Sequence, residues 1–245
     1  MSRPRTHVVL IPAFNPGNLL VATVEGALAA WEDVWVIVDG STDRSHEALA
    51  KGGRAGLKVI VIPKNGGKGS AVLEGARRAI SEGYTHALVM DADGQHPSER
   101  IRDFMEASAA EPASVICGKP QFGPEAPIAR LYGRKLSIAL VKFETSGLGA
   151  SDPLFGFRVY PLGPLVRILE ATRGGRRYDF DPEVAVRLAW AGIPAINIDA
   201  RCAYVSRDKG GVSHFRYVRD NLRMIAMHFR LLFDRVVRGR GGRSA

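Results

Sequence analysis

With 245 residues, 46% of them hydrophobic and 24% charged, the chain has the composition of an ordinary soluble globular protein. It is long enough to bury one sizeable core and short for two full domains. No apolar run approaches the roughly 20 residues that cross a bilayer, and Met1-Ser2-Arg3-Pro4-Arg5 leads straight into a strand with no signal-peptide core. Cys117 and Cys202 sit singly in apolar contexts, which predicts reduced core cysteines of a cytoplasmic protein, with neither a disulfide nor a cysteine metal site. The net charge of +9 asks for an anionic partner. No zinc, helix-turn-helix or aromatic RNA-binding signature accompanies it, so nucleic acid is not the expected one. A phosphate-bearing substrate or an anionic membrane surface fits as well.

In chain order, His7 to Ala13 (HVVLIPA) reads as a buried strand and Leu19 to Ala30 as a helix. Val34 to Val38 is a second strand, with Ser41-Thr42-Asp43 predicted to cap a helix reaching about Lys51. Leu57 to Ile62 is a third strand and Lys68 to Ser81 a helix. The apolar run His86 to Met90 forms the fourth strand, followed by a helix over Pro97 to Ala109 and a fifth strand over Ala113 to Cys117. Continuous Val/Ile-rich strands separated by helices predict an α/β fold with a mostly parallel central sheet and helices on both faces. Beyond Pro120 the pattern loosens: a helix over Ile128 to Glu144, an extended Asp152 to Tyr160, a short helix Asp181 to Ala191 and a late strand Ala195 to Asp199. Ligands of such sheets bind outside the carboxyl ends of the strands, where Asp39 and Asp91 both fall.

The most informative stretch is MDADGQHP, residues 90 to 97. In an extended segment Asp91 and Asp93 project to one side. Two carboxylates so close repel, and a cation between them offsets the cost. Oxygen ligands of this kind suit a hard divalent ion that keeps positions open for substrate phosphates. Taken alone, the pair reads as readily as a solvated acidic turn. An EF-hand is excluded by the missing glycine and glutamate, a phosphatase Asp-x-Asp-x-Thr by Gln95, and His96 lacks a second histidine at ligand spacing. Asn65 to Gly69 fails the P-loop pattern, though its glycines would let backbone approach a ligand and Lys68 could face a diphosphate.

Five segments together resemble family 2 inverting glycosyltransferases of the GT-A fold, and among them the polyprenyl-phosphate, dolichyl-phosphate mannose synthase-like branch. They are IPAFNPGNL (11 to 19), VDGSTDRS (38 to 45), NGGKGSAVLEGARRA (65 to 79), DADGQHPSE (91 to 99) and DPLFGFRVY (152 to 160), in matching order across roughly residues 7 to 200. The resemblance implies a sugar-nucleotide site built from Pro12, Ala13, Asn15, Asp39, Lys68, Asp91, Ala92, Asp93 and Gln95. Within it Asp39 binds the base, while Asp91, Asp93 and Gln95 hold Mg²⁺ or Mn²⁺. A helix cap is the other reading of Asp39. The chain departs from the family pattern in having Val38 before Asp39 where two acids are usual, and Pro16 after Asn15.

On the acceptor side the same resemblance points to Asp152, Arg158 and Asp181, with Glu183 beside the last. Arg158 suits a phosphate, or else ties down Asp152. Arg130 and Arg134, one helical turn apart, grip an acceptor phosphate or line a solvated face. The implied reaction moves a sugar from a nucleoside-diphosphate sugar to a lipid or polyprenyl-phosphate acceptor, with Asp152 and then Asp181 as general base if the acceptor is a hydroxyl. A sugar-nucleotide-forming nucleotidyltransferase would want a glycine-rich basic loop after the first strand, which IPAFNPG is not. The lost acids near Asn15 and Val38 suggest a degenerate membrane-associated scaffold, against which stands the retained Asp91/Asp93 pair.

Residues 1–212 are read as the catalytic domain and 213–245 as an amphipathic helix with a basic Gly/Arg tail. From Phe215 the apolar residues Val218, Leu222, Ile225, Phe229, Leu232 and Val236 recur every three or four positions, with six arginines elsewhere on the helix. Such a helix docks on the domain, lies in a membrane interface on the cytoplasmic face, or pairs with a partner helix.

Overall fold

The structure is a computed structural model that describes residues 5–50, 53–123, 128–172, 174–203 and 216–241. Its first half follows the predicted alternation: β1 (His7–Ala13), α1 (Leu19–Ala30), β2 (Val34–Asp39), α2 (Glu47–Ala50), β3 (Leu57–Ile62), α3 (Lys68–Ser81) and β4 (His86–Val89). A turn of 3-10 helix, Ser98–Arg100, then leads into α4 (Ile101–Ala110). The second half comprises β5 (Val115–Phe122), α5 (Ile128–Glu144), β6 (Arg158–Pro161), α6 (Leu162–Ala171), α7 (Phe180–Trp190), β7 (Ala195–Cys202) and α8 (Tyr217–Gly241).

The seven strands form one sheet in the order β3-β2-β1-β4-β6-β5-β7, parallel except at β6, which runs antiparallel to both β4 and β5. Alternation along the strands sorts the core into two layers. Val8, Leu10, Trp35 and Ile37 pack with α3, α6 and α7, whereas Val9, Ile11, Val34, Val36 and Val38 pack with α1 and α4. With both faces covered, β1 and β2 are buried almost end to end, which is why they read as unbroken apolar runs.

Three predicted elements differ and one helix is additional. The helix expected from Ser41 shrinks to Glu47–Ala50 because the would-be capping side chains are used elsewhere: Ser41 Oγ accepts from the Asn15 amide (3.0 Å), and Asp43 Oδ2 from the Gly17 amide (2.9 Å). β5 continues to Phe122 because β7 pairs with it in parallel from Val115↔Ala195 to Phe122↔Cys202. Extended structure over residues 152–160 is confined to Arg158 onward; upstream, Asp152 Oδ1 accepts from the Leu154 amide and turns the chain. Helix α6 was not anticipated, although Leu162, Leu165 and Leu169 form its buried stripe.

The C-terminal helix is present and packs on α5 and α7 through Met224, Met227 and Leu231. These are not the residues of the predicted apolar stripe, of which Val218, Leu222, Ile225, Phe229 and Val236 are exposed and Leu232 is half-buried. Among the described residues no helix is long and apolar enough to cross a membrane. The predicted division at residue 213 falls in 204–215, with His214 and Phe215, outside the described residues.

At the opposite end of the sheet from the loops that carry Asp39 and Asp91, His7 and His86 stack with ring centroids 4.7 Å apart, and His7 Nε2 meets Ser108 Oγ at 3.1 Å. Burial, then the neighbouring His86, pushes His7 down to about 4 from 6.5. A histidine kept neutral when folded but free to protonate when unfolded stabilises the protein above pH 6.5. That contribution is lost as pH falls towards 4. Urea unfolding at a series of pH values should show the decline, and His7→Gln should flatten it; an unchanged slope would remove His7 as its source.

Candidate active site

The carboxyl ends of β1, β2 and β4 converge with the 152–157 segment and the start of α7 around one cation. Lys68, first residue of α3, places Nζ 2.7 Å from Asp91 Oδ1 and 2.7 Å from Asp181 Oδ2. Burial opposes its charge, but Asp181 and Asp91 outweigh that and hold the ammonium protonated. Lys68 is thus a fixed cation between Asp91 and Asp181.

Burial opposes the ionisation of Asp91, yet Lys68 and the groups beyond it hold its pKa below the usual carboxylate range. Asp93 differs. Burial first, and then the charge of Asp91, push it up to about 6, against a stabilising 3.1 Å hydrogen bond from the Gln95 amide. Among the described residues no basic side chain pairs with Asp93, so it is the carboxylate of this group that still lacks a cation. His96 accepts from the Asp91 amide through Nδ1 (2.9 Å) and lies edge-on to Phe155 and Phe157. Burial lowers its pKa to about 4, so it is neutral and shapes the loop. Ala92 is buried, and the Gln95 carbonyl accepts from the Ala203 amide.

Asp39 ends β2 with only 2% of its surface exposed. Its carboxylate accepts from the Gly66 amide (2.9 Å), the Gly67 amide (2.7 Å) and Asn65 Nδ2 (3.1 Å). It therefore neutralises the first turn of α3, a different helix from the one sequence spacing suggested, where a carboxylate meets the positive end of the dipole. On its far side opens a cleft of about 330 Å³ lined by Asp39, Ile62, Lys64, Gly66, Ser70 and Arg78. The glycines of NGGKG are explained by the chain itself. Gly67 has φ +94°, a Cβ there would strike the Arg176 carbonyl, and Gly69 N donates to that carbonyl at 3.0 Å. Arg177 Nη1 also reaches Asn65 Oδ1 (2.8 Å), so segment 174–179, which no motif signalled, lies directly over this turn.

The β1 loop is stapled to the β2 loop. Asn15, at φ +45°, accepts from the Thr42 amide (2.7 Å) and the Asp43 amide (3.2 Å) through Oδ1, and Ser41 Oγ leans on the Ala13 carbonyl (3.4 Å). Pro12 lies half-buried one residue before, in β1.

On the acceptor side the structure separates the expected residues. Asp181 faces Lys68, and among the described residues its buried Oδ1 has no hydrogen-bond partner. Asp152 is closed off: Arg134 Nε pairs with Oδ2 while the Leu154 amide takes Oδ1. Arg134 thus serves Asp152, and the Arg130 side chain lies outside the described residues. Arg158, 1% exposed, donates to the main-chain carbonyls of Asp181 (3.0 Å) and Asp152 (3.1 Å), so it ties down these two segments and offers no open fork to a phosphate. Glu183 turns away into ion pairs with Arg187 (2.9 Å) and Arg230 (2.5 Å).

Gly156 holds this centre closed. A Cβ on it would land against Lys68 Nζ and 3.1 Å from Asp181 Oδ1. Sequence offered the clue as a glycine between two phenylalanines, both buried here. Gly156→Ala should displace the flexible lysine tip without unfolding the protein. Turnover should fall about tenfold, a loss of ~1.4 kcal/mol in transition-state stabilisation, with little change in melting temperature. Parallel kinetics and thermal melts check this, and wild-type turnover would show that the Lys68–Asp181 contact is dispensable.

Comparison with known proteins follows the same lines. The profile of Glycosyl transferase family 2 matches residues 8–145. UDP-N-acetylglucosamine–dolichyl-phosphate N-acetylglucosaminyltransferase of Methanococcus voltae is 22% identical, the match covering 73% of this chain and 78% of the relative. Polyprenol monophosphomannose synthase of Mycolicibacterium smegmatis is 25% identical over 78% and 75%. Among solved structures, glucosyl-3-phosphoglycerate synthase of Mycobacterium tuberculosis, in complex with Mn²⁺, UDP-glucose and phosphoglyceric acid, superposes with a TM-score of 0.63. At 18% identity, covering 95% of this chain and 80% of that one, it shows a shared GT-A-type fold. The profile spans more than half of the sequence, and the chain belongs to glycosyl transferase family 2, as a glycosyltransferase.

Proposed function

We propose that the protein is a metal-dependent inverting enzyme that moves a sugar from a nucleoside-diphosphate sugar to a polyprenyl- or other lipid-phosphate acceptor. The observation that carries this reading is the group Asp91, Asp93 and Asp181 around Lys68 at the carboxyl ends of the strands. It is supported by relatives named for transfer to dolichyl and polyprenol phosphates.

Asp93, the carboxylate left without a cation, fits a hard divalent ion, with Asp91 and Gln95 beside it. Among the described residues there is no cluster of three or more ligating side chains. Bound at Asp93, Mg²⁺ or Mn²⁺ would supply charge neutralisation to the departing nucleoside diphosphate. Lys68 adds a fixed positive charge that needs no reorganisation during the reaction. The cleft beside Asp39 takes the base.

A phosphate acceptor is already anionic and attacks the anomeric carbon without a base. Were the acceptor a hydroxyl, Asp181 would take the proton, since its Oδ1 is free of hydrogen bonds whereas Asp152 is closed by Arg134. An acceptor of this kind sits in a membrane surface, and the enzyme is proposed to work there as a peripheral protein on the cytoplasmic face.

Incubation with labelled UDP- and GDP-sugars, Mg²⁺ or Mn²⁺ and a panel of polyprenyl phosphates should give transfer with inverted anomeric configuration. Excess EDTA should abolish it. Asp93→Asn should lower transfer at least about a hundredfold, the scale of a lost electrostatic stabiliser, at an unchanged melting temperature. Full activity in EDTA would remove the metal, and release of pyrophosphate from a nucleoside triphosphate would mark a nucleotidyltransferase instead. A folded protein that neither transfers sugar nor is stabilised by any sugar nucleotide would be a non-catalytic scaffold.

A further inference from the structure

Helix α8 is attached by the side one would expect to find in water. Its inward face carries Asp220, fully buried, and His228, whose Nδ1 meets the buried Glu144 Oε1 at 2.8 Å. Arg230 reaches Glu183 on α7, and Asp234 pairs with Arg187 at 2.9 Å. Among the described residues Met224, Met227 and Leu231 add apolar contact there. The outward face carries Val218, Leu222, Ile225, Phe229, Phe233 and Val236, each between 52% and 72% exposed. At 100° per residue these six fall within an arc of roughly 80°, a straight stripe along the helix. Exposed apolar surface on the order of several hundred Å² in one strip marks a contact site.

The charges around the stripe choose the occupant. Arg216 just before α8 and Arg219 and Arg223 on its first turns stand against a single acid, Asp220, which leaves this end of the helix positive; Arg230, Asp234 and Arg235 are engaged with the domain. A second copy laid along the stripe would bring its own arginines against these with no free acid to meet them. An anionic lipid surface meets both the apolar stripe and the arginines.

We infer that α8 is a built-in membrane-docking helix, held to the domain by buried ion pairs on its inner face so that its outward stripe beds into the interface of an anionic bilayer. The inference deepens the lipid-acceptor reading, on which it rests for its purpose but not for its test. Arg216, Arg219 and Arg223 would meet the headgroups while Phe229, Phe233 and their neighbours enter the acyl boundary. The same ion pairs join the docked helix to α7, whose first turn carries Asp181.

The full-length protein should co-sediment with phosphatidylcholine vesicles containing about 30% phosphatidylglycerol. Binding should weaken at least about tenfold on pure phosphatidylcholine and in ~0.5 M NaCl, where the attraction is screened. Leu222→Asp/Phe229→Asp changes two exposed side chains and should cut vesicle binding by at least about tenfold with an unchanged melting temperature. Equal binding to neutral and anionic vesicles, or undiminished binding by the double variant, would overturn the inference. So would a wild-type dimer in sedimentation that the double variant converts to monomer, since a second copy would then cover the stripe. Vesicle binding without transfer to any lipid phosphate would leave the docking helix standing and remove the acceptor reading instead.

Discussion

One half-buried ion triad, Asp91–Lys68–Asp181, sets where the loops of this protein lie. Lys68 opens α3, and a cation at a helix start sits badly with the dipole. The placement is tolerated because two carboxylates flank the ammonium and Asp39 neutralises the amides of the preceding turn. Each acid comes from a different part of the chain: the end of β2, the segment after β4 and the first turn of α7. The lysine fastens three loops that strand packing alone would leave independent. It also accounts for Gly156, for the close passage of segment 174–179 over the Asn65–Gly69 turn, and for Arg158 holding the main chain of Asp152 and Asp181 from behind.

How much of this could be read beforehand follows from the range of the forces involved. β1 through β4 and the helices between them were legible because their apolar periodicity is local and both faces of the sheet are covered. The carboxylates at the strand ends were legible for the same reason, since topology places them. Partners were not. Asp152 looked like a base until Arg134 on α5 was found on it, and Asp39 looked open to a ligand although three donors from residues 65–67 occupy it. Pairings across long sequence separations are decided by tertiary structure, and no short motif records them. The Asn65–Gly69 glycines show the same limit: sequence said that something approaches closely, and the structure supplies the Arg176 carbonyl.

Helix α8 makes the point in reverse. Its stripe was evident from spacing, yet periodicity states that one face is apolar and not which way that face looks. Orientation was decided by Glu144 and Glu183, two buried acids on α5 and α7 that find His228 and Arg230 across the helix interface. Leaving either acid unpaired would cost several kcal/mol, which weighs against turning the helix over.

The reversed strand β6 governs the order in which such a chain can assemble. β4 and β5 do not adjoin; each pairs with β6, and β7 joins the sheet through β5 alone. As the chain leaves the ribosome, β1 to β4 can pair with one another at once, but β5 has no neighbour until Val159 arrives opposite Ile116 and Ala195 opposite Val115. The later half of the sheet is therefore the high-contact-order, slower half. The stretch most recognisable as family 2, ending at residue 145, is accordingly not a folding unit. Cut there, it would leave the strand at 115–122 as an orphaned apolar edge, open to the pairings between chains that begin aggregation.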